Sequence, residues 1–156
     1  MRFTTKTEYG LFCLIYMAKS AELTPVSVKE IVKGERYSQA YIEKILQKLR
    51  SAKIVASQQG KQGGFILTKR PSEITLKEII EALEGQTFEV FCEPDVRQEI
   101  VCTHFPLCGV KPIWERTKNL LDNFYESITL EMIAKNDFSK VDITMKSGNR
   151  NNGVAS

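Results

Sequence analysis

Histidine and tryptophan each occur once in this chain of 156 residues. With His104 as the lone histidine, no glycine-rich phosphate loop and no nucleophile set beside a base, the sequence carries no catalytic constellation, which argues against an enzyme. No apolar run approaches the roughly 20 residues needed to cross a bilayer, so no membrane partner is expected. The opening Met1-Arg2-Phe3-Thr4-Thr5-Lys6 lacks the apolar stretch and small-residue cleavage site of a secretory signal, and the expected location is the cytoplasm. In that setting the four cysteines are more often metal ligands or buried thiols than a disulfide framework.

What the chain does have is unevenly spread. Residues 1–70 hold 13 Lys and Arg against 5 Asp and Glu, whereas residues 71–156 hold 9 against 14; the halves carry +8 and −5, which make up the net +3. A basic half suits a polyanion and the acidic half does not. The length allows one full core, with little left for a second complete domain.

Helix signals dominate the basic half. Thr5-Lys6-Thr7-Glu8 has capping-box spacing ahead of a broad apolar face from Tyr9 to Ala18, and Ser27-Val28-Lys29-Glu30 repeats the pattern before a short second helix. Ser38 is placed to cap a third helix whose Ile42, Ile45, Leu46 and Leu49 follow i, i+3, i+4, i+7 spacing. Residues 54–58 and 65–67 flank Gly60-Lys61-Gln62-Gly63-Gly64, a hairpin whose glycines are expected to supply positive φ. Three helices followed by a hairpin is the winged helix-turn-helix order. Thr75-Leu76-Lys77-Glu78 then caps a helix that Gly85 stops.

The expected fold is therefore mainly α with a small β-wing. A winged helix-turn-helix DNA-binding domain spans 1–85, and a cysteine-bearing sensor loop spans 86–111. A long dimerisation helix over 112–136 starts at Pro112 and carries Trp114, Leu121 and Ile128 at seven-residue intervals. The tail, 137–156, is expected to lack fixed structure toward its Gly/Asn-rich end. Cys92, Cys102 and Cys108 are spaced Cys-x9-Cys-x5-Cys in the loop, and thiolates there suit an iron-sulfur cluster or zinc. Cys13, among Leu11, Phe12, Leu14 and Ile15, reads as a buried thiol.

Several stretches resemble the IscR and NsrR family of winged-helix transcription regulators. They are Met1-Arg2-Phe3-Thr4-Thr5-Lys6, Ser38-Gln39-Ala40-Tyr41-Ile42-Glu43, Gly63-Gly64-Phe65-Ile66-Leu67, Ile74-Thr75-Leu76-Lys77-Glu78-Ile79-Ile80 and Leu83-Glu84-Gly85. The resemblance runs from residue 1 to about residue 135. It implies a homodimer, a repressor by analogy with NsrR-like members, bound to pseudo-palindromic double-stranded promoter DNA. It also implies an iron-sulfur cluster, [2Fe-2S] or [4Fe-4S], on Cys92, Cys102 and Cys108, responsive to redox, nitric oxide or iron-sulfur status. The base readers on this view are Ser38, Gln39, Tyr41 and Glu43 at the start of the third helix. Arg2, Lys6, Lys33, Arg36, Lys44 and Lys61 are candidate phosphate contacts, and the wing offers Gln58, Gln59, Lys61 and Gln62 in place of an arginine.

The fourth cluster ligand stays open. IscR-like members carry a histidine where this chain has Lys111, a poor ligand when protonated. NsrR-like members use an acidic residue of helix one from the other subunit, and Glu8 stands at that position, where it also fits the capping box from Thr5. His104 is the alternative. Two further readings remain: a structural zinc on Cys92, Cys102, His104 and Cys108, and a cluster-free CymR-like regulator responding through thiols or a protein partner.

Overall fold

Thr4 stands in extended backbone as the N-cap of α1 (Thr5–Lys19), its hydroxyl accepting from the Lys6 amide at 3.3 Å. The computed structural model describes residues 4–20, 24–33, 37–60, 63–88, 108–139 and 141. The capping box expected from Thr5 to Glu8 is not formed, because the cap lies one residue earlier and leaves Thr7, not an acid, at the third helical position. Glu84 supplies the missing carboxylate from 80 residues away, accepting from the Thr4 amide at 3.2 Å. Glu8 is exposed on the first turn.

The next two helices follow their local signals. In α2 (Val28–Ile31) Ser27 and Glu30 form the expected reciprocal box, the Glu30 carboxylate accepting from the Ser27 amide at 2.7 Å. Ser38 occupies the N-cap of α3 (Gln39–Ser51) but makes no side-chain cap bond among the described residues. Ile42, Ile45, Leu46 and Leu49 are all buried, as their spacing requires, and join Leu14, Cys13 and Met17 of α1 in one core.

β1 (Val55–Gln58) and β2 (Gly64–Leu67) pair antiparallel with Val55 opposite Leu67 and Gln58 opposite Gly64. Val26 adds a bridge to Phe65 through two 2.9 Å backbone bonds, tying the wing to the entrance of α2. Only part of the glycine expectation holds. Gly60 has φ +142°, whereas Gly64 is there because a Cβ would lie 2.5 Å from the Val26 carbonyl oxygen.

After a 3-10 turn at Pro71–Glu73, Thr75 and Glu78 box the start of α4 (Leu76–Glu84), and Gly85 at φ +96° ends it. The helix expected over 112–136 is two helices: α5 (Lys111–Ser127), with Pro112 in its first turn, and α6 (Leu130–Lys135). Ile128 between them is extended because residues 128–130 pair with 74–76: the Leu76 amide donates to the Ile128 carbonyl and the Leu130 amide to the Ile74 carbonyl, each at 2.8 Å. Thr129 then caps α6. Fully buried Leu130 enters the core, a burial that stabilises by about 2 kcal/mol. The last turns of the expected dimerisation helix thus pack on α1 of their own chain. The whole is a mostly helical winged helix-turn-helix with a two-stranded wing.

Gly64→Ala is expected to destabilise the fold by about 1–3 kcal/mol, since the obstacle is backbone that does not swing aside. Denaturant unfolding checks this; an unchanged midpoint contradicts the close approach.

Candidate nucleic-acid interface

α3 buries one face and leaves Gln39, Glu43, Lys44, Gln47 and Lys48 exposed on the other. The Gln39 amide donates to the Glu43 carboxylate at 3.1 Å, so two candidate base readers hold each other along one helical turn. An amide able to pair with adenine and a carboxylate able to accept from a cytosine amino group then sit side by side. Ser38 and Lys44 are exposed beside them, and Gln59 is exposed at the wing. Lys33 is exposed after α2.

Tyr41 is placed differently. Half-buried, it meets Tyr9 edge-on at 5.6 Å, and its hydroxyl lies 3.3 Å from that of Thr5. Tyr9 also packs at 4.3 Å, tilted, against Tyr37, which meets Phe12 at 5.3 Å. This aromatic cluster fastens α1 to the start of α3, which makes Tyr41 a support for the reading surface at least as much as a part of it. Arg2, Arg36 and Lys61 lie outside the described residues.

Lys6 is engaged. Its ammonium lies 3.6 Å from the Glu84 carboxylate, which also accepts from the Thr4 amide and hydroxyl and from the Thr7 hydroxyl at 2.7 Å. On the far side of the same turn, the Lys48 ammonium of α3 donates to the Leu83 carbonyl at 3.3 Å. The sequence reading missed both Glu84 and Lys48; the available signal was the acid at the end of the Leu83-Glu84-Gly85 stretch. Arg50 reaches Ser57 of the wing at 3.5 Å, a further cation that the reading passed over.

The cysteine region is described only at its edges. Cys92, Cys102 and His104 lie outside the described residues; Cys108 is a half-buried free thiol just before α5. Among the described residues no group of three or more His, Cys, Asp or Glu could hold a metal ion. The start of the segment is anchored on α5: buried Thr87 donates to the Asp122 carboxylate, which Lys118 contacts at 2.8 Å, and Phe88 lies 6.2 Å from Trp114. Lys111 pairs with Glu115 at 3.6 Å. Cys13 is fully buried, and burial pushes its thiol up to about 12, so it is an inert core residue at neutral pH. Ile113, Trp114, Leu120 and Phe124 are exposed on α5.

These features have counterparts in known proteins. The family described as Rrf2, iron-dependent transcriptional regulator, matches residues 3–136. The HTH-type transcriptional regulator CymR of Bacillus subtilis is 32% identical over 134 residues, covering 86% of this chain and 90% of that protein. The regulator IscR of Escherichia coli is 27% identical over 136 residues, 87% of this chain and 82% of that one. The solved structure of CymR, described as the global cysteine regulator of B. subtilis, superposes with a TM-score of 0.69 at 31% identity over 87% of this chain and 98% of its own. These relatives are transcriptional regulators, not enzymes.

The surroundings of Glu84 also predict a pH dependence. Burial opposes its ionisation, but the hydrogen bonds from Thr4 and Thr7 and the Lys6 ammonium outweigh burial and hold the carboxyl below its ordinary range. A folded pKa below the unfolded one gives stability that is fully present above about pH 4.3 and is lost as pH falls through the folded value. Wild type should therefore be more stable than Glu84→Gln near neutral pH, by about 1–2 kcal/mol, with the gap closing in acid. A melting-temperature gap that stays constant on acidification contradicts this.

Proposed function

The chain belongs to the Rrf2 family of transcriptional regulators, and we propose that it works as a homodimer on pseudo-palindromic promoter DNA, as a repressor whose binding depends on an iron-sulfur cluster held by Cys92, Cys102 and Cys108. The observation that carries the reading is the division of α3, with Ile42, Ile45, Leu46 and Leu49 in the core and Gln39, Glu43 and Lys44 free to enter a major groove. Base edges would be read by Gln39 and Glu43, the latter penalising sites without a cytosine amino group to accept from. Lys44, Lys33 and the cations outside the described residues would neutralise phosphates.

Dimerisation is supported by α5. Leu120 is 52% exposed and Ile113 58%, and a 17-residue helix that leaves such a stripe uncovered is suited to a second copy. Two copies related by a twofold axis would set the recognition helices about one DNA turn, roughly 34 Å, apart.

The donor chemistry fits the cofactor. Three thiols suit iron, and Glu8 is exposed on the first turn of α1, released from the capping role that the sequence suggested because Thr4 and Glu84 fill it. Cys92, Cys102 and Cys108 would hold the cluster, with Glu8 of the other subunit as fourth ligand and His104 as the alternative; when bound, the cluster supplies a centre that reacts with oxidants or nitric oxide. Glu8 lies on the same turn as Lys6 and close to Tyr41's partner Thr5, so a ligand role would join the sensor segment of one subunit to the reading head of its partner.

A second reading is favoured by the 32% identity to CymR and by Lys111 at the position of the IscR-like histidine. On it, the same fold acts without a cluster, through thiols or a protein partner, or holds a structural zinc. Anaerobic purification with iron, sulfide and zinc measured per chain separates these. Iron with sulfide, lost in Cys92→Ala and altered in Glu8→Ala, is the expected result. Zinc without sulfide, or metal-free protein whose promoter binding responds to thiol oxidation, overturns the cluster in favour of the second reading.

A further inference from the structure

The last turn of α4 reaches both α1 and α3, and its charge does more than stabilise the fold. A neutral acceptor at position 84 still accepts from the Thr4 amide and the Thr7 hydroxyl, more weakly than the carboxylate does. What only a carboxylate adds is the ion pair with Lys6, whose side chain is 40% exposed while that of Glu84 is 14% exposed. Lys6 follows Thr5, whose hydroxyl contacts Tyr41 of α3, so the turn that carries its side chain borders the start of the reading helix.

From this arrangement we propose that Glu84 is a positioning residue for the DNA-reading surface: its carboxylate fixes the first turn of α1 and holds Lys6 off the phosphate backbone. The inference rests on the DNA-binding reading above and extends it. A phosphate and Glu84 compete for one ammonium, so the end of α4 sets how many cations the head offers to DNA. Position 84 is also the last helical residue before the chain turns at Gly85 toward the cysteine-bearing segment. A displacement of that turn would therefore alter the count. Withholding a cation lowers affinity for all sequences alike: it leaves the ratio of specific to non-specific binding to the base contacts and shortens retention on DNA of any sequence.

The test measures the salt dependence of binding to two duplexes: one enriched by the wild-type protein from a random-sequence pool, and sheared genomic DNA as non-specific competitor. Glu84→Gln keeps an acceptor for Thr4 and Thr7 and removes the charge. Its log-log salt slope on non-specific DNA should steepen by about 0.9 for each reading head, about 1.8 for the dimer, so the affinity lost between about 50 and about 200 mM salt grows roughly 12-fold. In a Lys6→Ala background the same substitution should leave the slope where it was. Circular dichroism establishes that each variant is folded; if Glu84→Gln is not, Glu84→Asp, which draws the charge back by one methylene, carries the same comparison. An unchanged slope in the folded variant, or equal steepening with and without Lys6, overturns the inference while leaving DNA binding intact. Wild-type protein that binds neither duplex overturns the DNA-binding reading and this inference with it.

Discussion

The last turn of α4 is where two helix ends are satisfied at once. An α-helix leaves amides unpaired at its start and carbonyls unpaired at its end, and each must find a partner where water is scarce. Here the Glu84 side chain takes the Thr4 amide at the start of α1, while the Leu83 carbonyl at the end of α4 takes the Lys48 ammonium of α3. Leu83 itself is buried against Gly10 of α1, where any side chain larger than hydrogen would meet its methyl group. One turn thus supplies a packing contact, a carboxylate cap and a lysine cap. The Glu84 carboxylate suits the N-terminal dipole of α1, and the Lys48 ammonium the C-terminal dipole of α4.

That junction ties together surfaces that the function keeps distinct. α1 presents Lys6 and Glu8, α3 presents Gln39, Glu43 and Lys44, and the chain beyond Gly85 leads into the cysteine-bearing segment. The segment leaves through buried Thr87, held by Asp122, and returns at Cys108 to the start of the same helix α5. α5 in turn packs on α4, and α6 packs on α1. The described ends of the cysteine-bearing segment, α5, α1 and α3 are therefore joined through α4.

Local chemistry was legible in the sequence where the decisive partner lies within one turn. The Ser27–Glu30 and Thr75–Glu78 boxes form as read, and so do the buried stripe of α3 and the Gly85 stop. The third box, Thr5–Glu8, has equally good spacing and does not form, because a carboxylate distant in sequence occupies the cap in its place. The heptad Trp114, Leu121, Ile128 suggested one helix to residue 136; the pairing of residues 128–130 with 74–76 breaks it, and no local window contains that pairing. Gly64 looked like turn freedom and is a close backbone approach. In the candidate site, the helix carrying the readers was legible, but the half-burial of Tyr41 and the capture of Lys6 depend on Tyr9 and Glu84, which only the assembled fold brings near.

If the end of α4 governs the head, the start of α1 cannot fray independently of it. Residue-resolved amide hydrogen exchange on wild-type protein tests this directly, through the Thr4 amide and those of the last turn of α4. The Thr4 amide should be protected and open with the same free energy as the Glu84 turn, as one cooperative unit. A Thr4 amide that exchanges at the rate of a free helix end, while the last turn of α4 stays protected, would contradict it.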